Sequence, residues 1–512
     1  MGLLRRTVLS VMLLTIVSKI LGFTREIVLA YYYGASNISD AYLISLTIPG
    51  VIFSFISVAL VTGFIPLYTS ILNEQGMAEG NKFTSNIINI LFIISTLIVI
   101  FVFLFDNAIL KIFALGFDNE TLEMATTFTK IFIIGIYISG LLSIFTGFLQ
   151  VHKNFFIPAL GGIPFNIITI LSIYFSKIYY LYFIIIGVIV AKFVQLLMLI
   201  PYVVKNKFKY SLKISLYDNN VKKMLLMGLP LIIGVSLNQI NILVDRTIAS
   251  TISVGGISAI SYANHLNQFV QGVFVASLIA VMYPTVSKMI VDNNIHLVKK
   301  SISESINLIY LFVLPATIIT MIFSVEIVTL LFARGEFDSN ATLMTSDALF
   351  FYSIGMIAVG LREFLSMIFY SMKDTKTPMI NAAIGIVLNI ILNIILSYYL
   401  GLGGLALATS IAAIFTTILM IVSLKKKIGS FGMKHMSIIF LKILFASLIM
   451  GFITISIFYY LVGFLNQNIS LIISIVVGII IYLIIIYLMK IEDARVIFDP
   501  IKKKILLAIR KF

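Results

Sequence analysis

The chain has 512 residues, of which 60% are hydrophobic and only 11% are charged, with a formal net charge of +15 and a mean hydropathy of +1.11. Soluble domains carry about 25% charged residues, so this composition excludes a set of soluble domains and indicates a polytopic membrane protein. The chain has no cysteine, which excludes disulfides, a thiol nucleophile and cysteine metal sites.

Long apolar runs follow one another along the chain. A helix needs ~20 apolar residues to cross ~30 Å of hydrocarbon. By that length the sequence predicts an all-α protein of fourteen transmembrane helices, at about 8–33, 39–72, 84–105, 126–150, 156–176, 180–203, 226–251, 256–286, 301–325, 342–371, 377–400, 402–424, 437–462 and 469–489. The first run follows Arg5 and Arg6 but is too long for a signal peptide and lacks a small-residue cleavage site, so we expect it to be retained.

Lysine and arginine are unequally distributed between the segments that connect the predicted spans. With the N-terminus inside, the outer segments hold only Lys111, Lys177 and Arg334, and most of the others lie in the inner segments and the C-terminal tail. This positive-inside bias supports an even number of spans and cytoplasmic termini. It indicates anionic lipid at the inner leaflet, and not nucleic acid, as the partner of the positive charge. In the inner segment 205–223 and in the tail, lysines alternate with apolar residues, which predicts amphipathic segments on that leaflet.

Four charged residues lie in or beside the first two predicted spans: Lys19, Arg25, Glu26 and Asp40. A charge near the bilayer centre costs roughly 2.5–3.5 kcal/mol on insertion scales. Four charges in one short stretch therefore predict a water-filled cavity. The alternative is that some of these side chains extend to the membrane interface, where their charged ends are hydrated.

Several features recur along the chain at nearly one offset. The pairs are Arg25-Glu26 with Asp245-Arg246, Lys153…Pro158 with Lys373…Pro378, and Pro66 with Pro284, at offsets of 220, 220 and 218 residues. Because the offset contains six spans, the two halves have the same orientation in the membrane, related by an axis along its normal. The predicted organisation is an N-lobe at 1–220, a C-lobe at 221–430, two extra spans at 431–490 and a basic cytoplasmic tail at 491–512.

The run SKILGFTREIVLAYYYGASNISDAYLIS resembles the start of the MurJ (MviN) family of bacterial lipid II flippases, which belongs to the MATE-like exporter superfamily. The runs DRTIASTISVGGISAISYANHLNQF, KDTKTP and GLGGLALATS stand at later landmarks of that family. The resemblance implies two six-helix lobes plus two C-terminal helices that form a groove for a lipid tail. It also implies transport of lipid II to the outer leaflet of the bacterial cytoplasmic membrane by alternating access, for peptidoglycan synthesis, with cell-wall synthesis proteins as candidate partners.

The diphosphate of lipid II is anionic, and arginine suits bidentate contact with phosphate, whereas lysine acts as a point charge. The resemblance implies cavity cations on spans one, two and eight. Lys19 stands where the family often has arginine, and His265 stands where it typically has arginine, which makes the charge at that position depend on pH. The predicted substrate-binding residues are Lys19, Arg25, Glu26, Asp40, Arg246 and His265.

A second group of polar residues suggests a coupling ion. Asp245 is an acid in an apolar span, and Asn389 and Asn393 are four residues apart and share a helix face. Carboxylate, amide and hydroxyl oxygens suit a small hard cation. The resemblance implies a sodium site at Asp245, Asn389, Asn393, the Leu405 carbonyl and Thr409, and no other cofactor. The alternatives are hydrogen bonding between helices, a proton carried by Asp245, and transport driven by the membrane potential alone.

No pattern of nucleophile and base is present, and the four histidines are scattered, so we do not predict an enzyme. Two other functions stay open. One is a different lipid-linked glycan flippase or a MATE-type exporter with the same fold, although two spans beyond twelve argue against a drug exporter. The other is a non-transporting scaffold for wall synthesis, which would not need charged residues within its spans.

Overall fold

The computed structural model describes residues 2–215, 217–491 and 493, and every regular element in this part of the chain is a helix. The α-helices are α1 (Gly2–Tyr33), α2 (Asn37–Ala59), α3 (Ile65–Gln75), α4 (Met77–Phe113), α5 (Asn119–Ile133), α6 (Gly135–Val151), α7 (Phe156–Leu160), α8 (Gly162–Ile178), α9 (Phe183–Lys205), α10 (Asn219–Ile252), α11 (Gly256–Val270), α12 (Ala276–Val291), α13 (Ile295–Ile322), α14 (Ser324–Leu331), α15 (Ser339–Ser371), α16 (Lys376–Ile428), α17 (Met433–Val462) and α18 (Gln467–Leu488). Two π-helical turns, Leu60–Phe64 and Gln271–Val275, follow α2 and α11.

Within the described residues, eleven helical stretches are long and apolar enough to cross a membrane. Large apolar side chains on their outer faces are exposed, among them Leu104 at 71% and Phe452 at 72%, as expected for helices that contact lipid. The prediction of an all-α polytopic membrane protein is confirmed. The number of spans, fourteen, stays a prediction.

The longest stretch, α16, shows why span counts depend on single residues. It has 53 residues, or about 80 Å at 1.5 Å per residue, far more than one crossing of ~30 Å requires. At Gly401 the backbone turns sharply, with φ 55° and ψ −133°, a conformation that only glycine adopts readily. Residues 377–400 and 402–424 were predicted as two separate spans, and the turn falls between them.

The chain forms two compact units. The first comprises Met1–Ser258 and Phe332–Ala341, and the second comprises Ala259–Leu331 and Thr342–Phe512. In the first unit, one core cluster contains the fully buried rings of Phe64, Tyr68 and Phe148, and Phe64 stacks on Tyr68 with centroids 5.4 Å apart. The predicted lobes at 1–220 and 221–430 rest on the repeat and stay predictions. The predicted tail at 491–512, apart from positions 491 and 493, lies outside the described residues.

The 220-residue offset is present in the local backbone. Lys153 and Lys373 both have a left-handed conformation, with φ of 60° and 59°, which is uncommon for residues other than glycine. The N–H of each donates to the carbonyl three residues earlier at 2.9 Å. Asp118 and Asp338, also 220 apart, each accept a hydrogen bond from the backbone N–H three residues later, at 2.8 and 2.7 Å. The same turns and helix starts therefore occur at matching positions in both halves of the sequence.

Helix α1 packs closely against α8, and this contact positions the candidate site. Ser18, Gly22 and Arg25 recur at spacings of four and three, so they lie on one face of α1. A Cβ added at Gly22 would lie 3.6 Å from Asn166 Oδ1, and one added at Gly162 would collide with Ser18. Small residues let two membrane helices approach closely, and here they bring a charged residue of α1 against α8.

Candidate functional site

The guanidinium of Arg25 lies at the contact between α1 and α8. Its Nε and Nη2 donate to Glu26 Oε1 at 3.2 and 2.7 Å, and its Nη1 donates to Asn166 Oδ1 at 3.4 Å. Its Cζ lies 5.9 Å from the centre of the Phe165 ring. The Arg25 side chain is 26% exposed, whereas that of Glu26 is 5% exposed. The guanidinium of Arg25 is thus held by several neighbours, and part of the side chain remains accessible to solvent.

Arg25 and Glu26 form an ion pair although they are adjacent on one helix. Neighbouring side chains on a helix do not normally face each other, but the long arginine side chain reaches back to the carboxylate. Removing one partner of a buried ion pair is strongly destabilising. Glu26 therefore balances the charge of Arg25 and fixes the orientation of its guanidinium. Its predicted direct contact with substrate stays a prediction.

Asn166 was not identified from the sequence. Its side chain is buried, and its Nδ2 donates to the Gly162 carbonyl at 2.8 Å and to the Ser18 carbonyl at 3.2 Å, while its Oδ1 accepts from Arg25. It therefore ties α1 to α8 at the arginine. The only sequence signal was a single amide within the apolar run of the fifth predicted span.

Neither Lys19 nor Asp40 lies on the face of α1 that carries Arg25. Lys19 is exposed on α1, six residues before Arg25 and so about 120° away around the helix. Asp40 is fully buried, and its Oδ1 accepts from the backbone N–H and the hydroxyl of Ser258 at 2.8 and 2.7 Å. Ser258 lies in the first turn of α11, where a carboxylate is favourable. The structure gives Asp40 this capping contact, and its predicted role in binding substrate stays a prediction.

Arg246, the second arginine of the repeat, has different partners from Arg25. Its Nη1 donates to the Leu43 carbonyl at 2.7 Å and to the Thr47 hydroxyl, both on α2. Its neighbour Asp245 accepts from the Asn241 amide at 3.5 Å, one turn earlier on α10. All of these residues belong to the first unit. His265 is half-buried on α11 in the second unit.

Four of the five predicted sodium ligands lie together in the second unit. Asn393 Nδ2 donates to Asn389 Oδ1 at 2.9 Å, Asn389 Nδ2 donates to Thr409 Oγ1 at 3.3 Å, and Thr409 Oγ1 donates to the Leu405 carbonyl at 3.1 Å. The fifth, Asp245, belongs to the first unit.

The type of atom in this network fits a sodium ion, since all its oxygens are hard ligands. The network is neutral, however, and its members bond to one another, so the same geometry also satisfies the alternative of hydrogen bonding between helices. In the described part of the chain, no three histidine, aspartate or glutamate side chains form a group that could hold a metal ion. The sodium site therefore stays a prediction.

A polar cavity within the first unit was also missed from the sequence. It has a volume of about 240 Å³ and opens to the surface between α6, α7 and α9. Its lining includes the polar residues Ser143, Thr146, Gln150 and Gln195 beside apolar ones. One turn beyond Ser143 on α6, Ser139 accepts a hydrogen bond at 2.7 Å from Lys192, whose Nζ also lies 4.5 Å from the centre of the Phe132 ring. The half-buried lysine therefore has a hydroxyl and a ring as partners.

Comparison with known proteins gives concordant matches. The family model described as "Lipid II flippase MurJ" matches residues 29–490. A protein of Buchnera aphidicola subsp. Baizongia pistaciae named "Probable lipid II flippase MurJ" is 32% identical over 414 residues, which cover 80% of this chain and 81% of that protein.

Solved structures agree with the sequence matches. The structure titled "Lipid II flippase MurJ, inward closed conformation" superposes with a TM-score of 0.81 and 30% identity, covering 93% of this chain and 97% of that one. An inward-facing multidrug resistance MATE family transporter of the MOP superfamily gives a TM-score of 0.70 at 13% identity over 80% of this chain and 94% of that one. The second match shows the shared fold alone.

Proposed function

The chain belongs to the lipid II flippase MurJ family, and we propose that it carries lipid II from the inner to the outer leaflet of the bacterial cytoplasmic membrane by alternating access. Lipid II has an anionic diphosphate, a polar sugar-peptide head and a long apolar tail. Its head requires a hydrated cationic surface within the membrane, because a diphosphate in hydrocarbon is prohibitively unfavourable.

The observation that carries the proposal is the setting of Arg25. Its guanidinium is anchored by Glu26, Asn166 and the Phe165 ring, and 26% of the side chain remains exposed. A guanidinium offers parallel N–H donors that match phosphate oxygens. Its anchors restrict its rotamers before substrate arrives, which lowers the entropy lost on binding. Arg25 is therefore our first candidate for the diphosphate contact.

We propose supporting roles for the other predicted substrate contacts. Lys19 is exposed on the same helix and contributes charge without the fork of an arginine. We propose that it attracts the diphosphate over a longer range. Arg246 and His265 are the proposed cations of α10 and α11. Asp40 supports the site through its hydrogen bonds to Ser258.

The protein is a multi-pass membrane protein, and we propose that both termini are cytoplasmic, as the positive-inside bias indicates. The substrate follows from the family. Inner-leaflet anionic lipids and cell-wall synthesis proteins are further proposed partners.

Sodium coupling is a separate part of the proposal. The adjacent oxygens of Asn389, Leu405 and Thr409 support it, as does Asn393, which extends the network. Asp245 would supply the negative charge that the network itself lacks. If no ion binds, a proton on Asp245 or the membrane potential remains as the source of energy.

The test of function is complementation of a bacterium depleted of its own lipid II flippase. We expect the intact chain to restore growth and normal cell shape, and a chain with Arg25→Ala to insert normally but fail. Among the alternatives, a drug exporter would not restore growth at all. A non-transporting scaffold would restore growth equally well with Arg25→Ala, and that result would exclude our assignment of Arg25.

A further inference from the structure

The connection between α9 and α10 contains a non-helical segment, residues 206–215, which we call the tongue. An irregular backbone leaves its N–H and C=O groups without the partners that a helix supplies. In the tongue, several of these groups bond instead to side chains on one face of α4. The helix and the tongue belong to the same compact unit.

Asparagines on the first half of α4 provide most of these bonds. Asn81 Nδ2 donates to the Lys207 carbonyl at 3.0 Å. Asn86 bonds Ser215 through both ends of its amide, because its Nδ2 donates to the Ser215 carbonyl at 2.9 Å and its Oδ1 accepts from the Ser215 N–H at 2.7 Å. The two ends of the tongue are thereby fixed to α4.

The middle of the tongue is fixed higher on the same helix. Asn89 Nδ2 donates to the carbonyls of Ser211 and Lys213 at 3.1 and 3.0 Å, and its Oδ1 accepts from the Tyr210 hydroxyl at 2.5 Å. Ser85 Oγ accepts from the Ser211 N–H at 3.1 Å. The tongue thus rises along α4 from Asn81 to Asn89 and returns to Asn86, with Leu212 at its tip.

The predicted span places the tip of the tongue near the membrane interface. The predicted span that includes most of α4 begins at position 84, and Asn89 lies five residues further on, about 8 Å along the helix axis. Amphipathic segments at an interface bury their apolar face about 5–10 Å deep. At such a depth, backbone polar groups need partners within the protein, and the asparagines of α4 supply them.

The side chains at the tip match this depth. Leu212 is 81% exposed, and Ile214 and Tyr210 are 53% and 52% exposed. Lys209 and Lys213 alternate with them and are also exposed. Apolar side chains flanked by lysines suit the boundary between acyl chains and anionic headgroups, where each lysine contributes about 1 kcal/mol of attraction.

We propose that the tongue is a lipid anchor that inserts Leu212 and Ile214 among the acyl chains of the leaflet on the predicted cytoplasmic side, with Lys209 and Lys213 on the headgroups of anionic phospholipids. The anchor does not depend on transport of lipid II. It would hold the connection between α9 and α10 at the membrane surface throughout the transport cycle.

Because the chain contains no cysteine, a single introduced cysteine can carry an environment-sensitive fluorophore. The probe is placed by Leu212→Cys in the full chain, reconstituted in phosphatidylcholine vesicles with or without phosphatidylglycerol. Ala78→Cys, exposed in the first turn of α4, is the matched control. We expect the fluorophore at 212 to be blue-shifted and quenched by lipids brominated on the acyl chain, and that at 78 to be neither. Equal, water-like emission at both positions would overturn the proposal.

The lysine contacts are tested by competition between brominated phosphatidylglycerol and brominated phosphatidylcholine. We expect Lys209→Gln and Lys213→Gln each to lower the preference for the anionic lipid at position 212 by about fivefold. An unchanged preference would contradict the headgroup assignment.

Asn89→Ala should release the tip and reduce quenching at 212. Asn206→Ala should not reduce it, because among the contacts described the Asn206 side chain bonds only the Tyr202 carbonyl of α9. Equal quenching in both variants would exclude the asparagines of α4 as the clamp.

Discussion

The two candidate sites differ in charge: the site at Arg25 is built around a cation, and the site at Asn389 consists of neutral polar groups. In the first unit, Arg25 places a permanent charge in α1, which the sequence predicts to be the first membrane span. There Glu26 balances the charge and Asn166 and Phe165 restrict the side chain. In the second unit, Asn389, Asn393 and Thr409 form a neutral network. Asn393 donates to Asn389, Asn389 donates to Thr409, and Thr409 donates to the Leu405 carbonyl.

The two sites also differ in their contribution to the free energy of folding. A charge in a span costs free energy even when it is balanced, so Arg25 is explained best by a function that uses the charge. A neutral hydrogen-bonded network contributes about 0.6 kcal/mol per pair between membrane helices and can persist for stability alone. We therefore expect substitutions to be severe at the first site and conditional at the second.

The largest effect is expected for Arg25. Each hydrogen bond to a charged group contributes about 1.5–3 kcal/mol, so Arg25→Ala should abolish complementation, and Arg25→Lys, which keeps the charge but loses the fork, should complement only partly. Lys111→Ala, an exposed lysine at the far end of α4, serves as the control and should grow normally. Normal growth of the Arg25→Ala variant at native expression would show that Arg25 is not needed for substrate binding.

Glu26→Gln separates the positioning of Arg25 from its charge. The glutamine keeps the shape of the side chain but leaves the guanidinium without its carboxylate, so we expect a lower melting temperature and intermediate complementation. The double variant Glu26→Gln with Arg25→Ala should be no less stable than Arg25→Ala alone. If Glu26→Gln has wild-type stability and activity, the ion pair is not what holds Arg25.

The second site is tested by the effect of sodium on thermal stability. If the neutral network binds an ion together with Asp245, sodium should raise the melting temperature of purified protein more than potassium does. Asp245→Asn and Asn389→Ala should remove that difference. Ser397→Ala, on the exposed end of the first half of α16, is the control. An equal response to both cations would leave hydrogen bonding as the explanation for the network.

The smallest effect concerns an ion pair outside the membrane. Burial raises the pKa of Asp374, but hydrogen bonds from Lys427 and Thr377 outweigh it and lower the pKa to about 2. A lowered pKa means that the pair stabilises the protein fully above the ordinary pKa of 3.8 and that this contribution is lost as the pH falls towards about 2. Exposed pairs contribute about 0.2–1 kcal/mol.

Asp374→Asn should therefore lower the melting temperature slightly near neutral pH, and the difference from wild type should shrink in acid below the ordinary pKa. Lys427→Gln should reproduce both results. A difference that grows in acid would contradict the assignment.

How much of this could be predicted from the sequence depended on the range of the interactions. Composition predicted the membrane class, and short motifs that recur at one offset predicted the repeat, because both can be read without knowing which helices pack together. The charge of Arg25 was visible for the same reason. Its partner Asn166 lies 141 residues away, and its position beside Arg25 depends on the register of α8 against α1, which no local pattern specifies. Asp40 was predicted to bind substrate because it is charged, yet its contact with Ser258 depends on where α11 begins.

We propose that this chain moves lipid II across the membrane and that Arg25 is needed for the movement. The most direct measurement is the fraction of lipid II accessible from outside the cytoplasmic membrane in a bacterium in which this chain is the only flippase. With the intact chain we predict that lipid II reaches the outer leaflet, and that after depletion or with Arg25→Ala it accumulates on the inner leaflet at unchanged total amount. Outer-leaflet lipid II that stays at the same level after depletion would contradict the account.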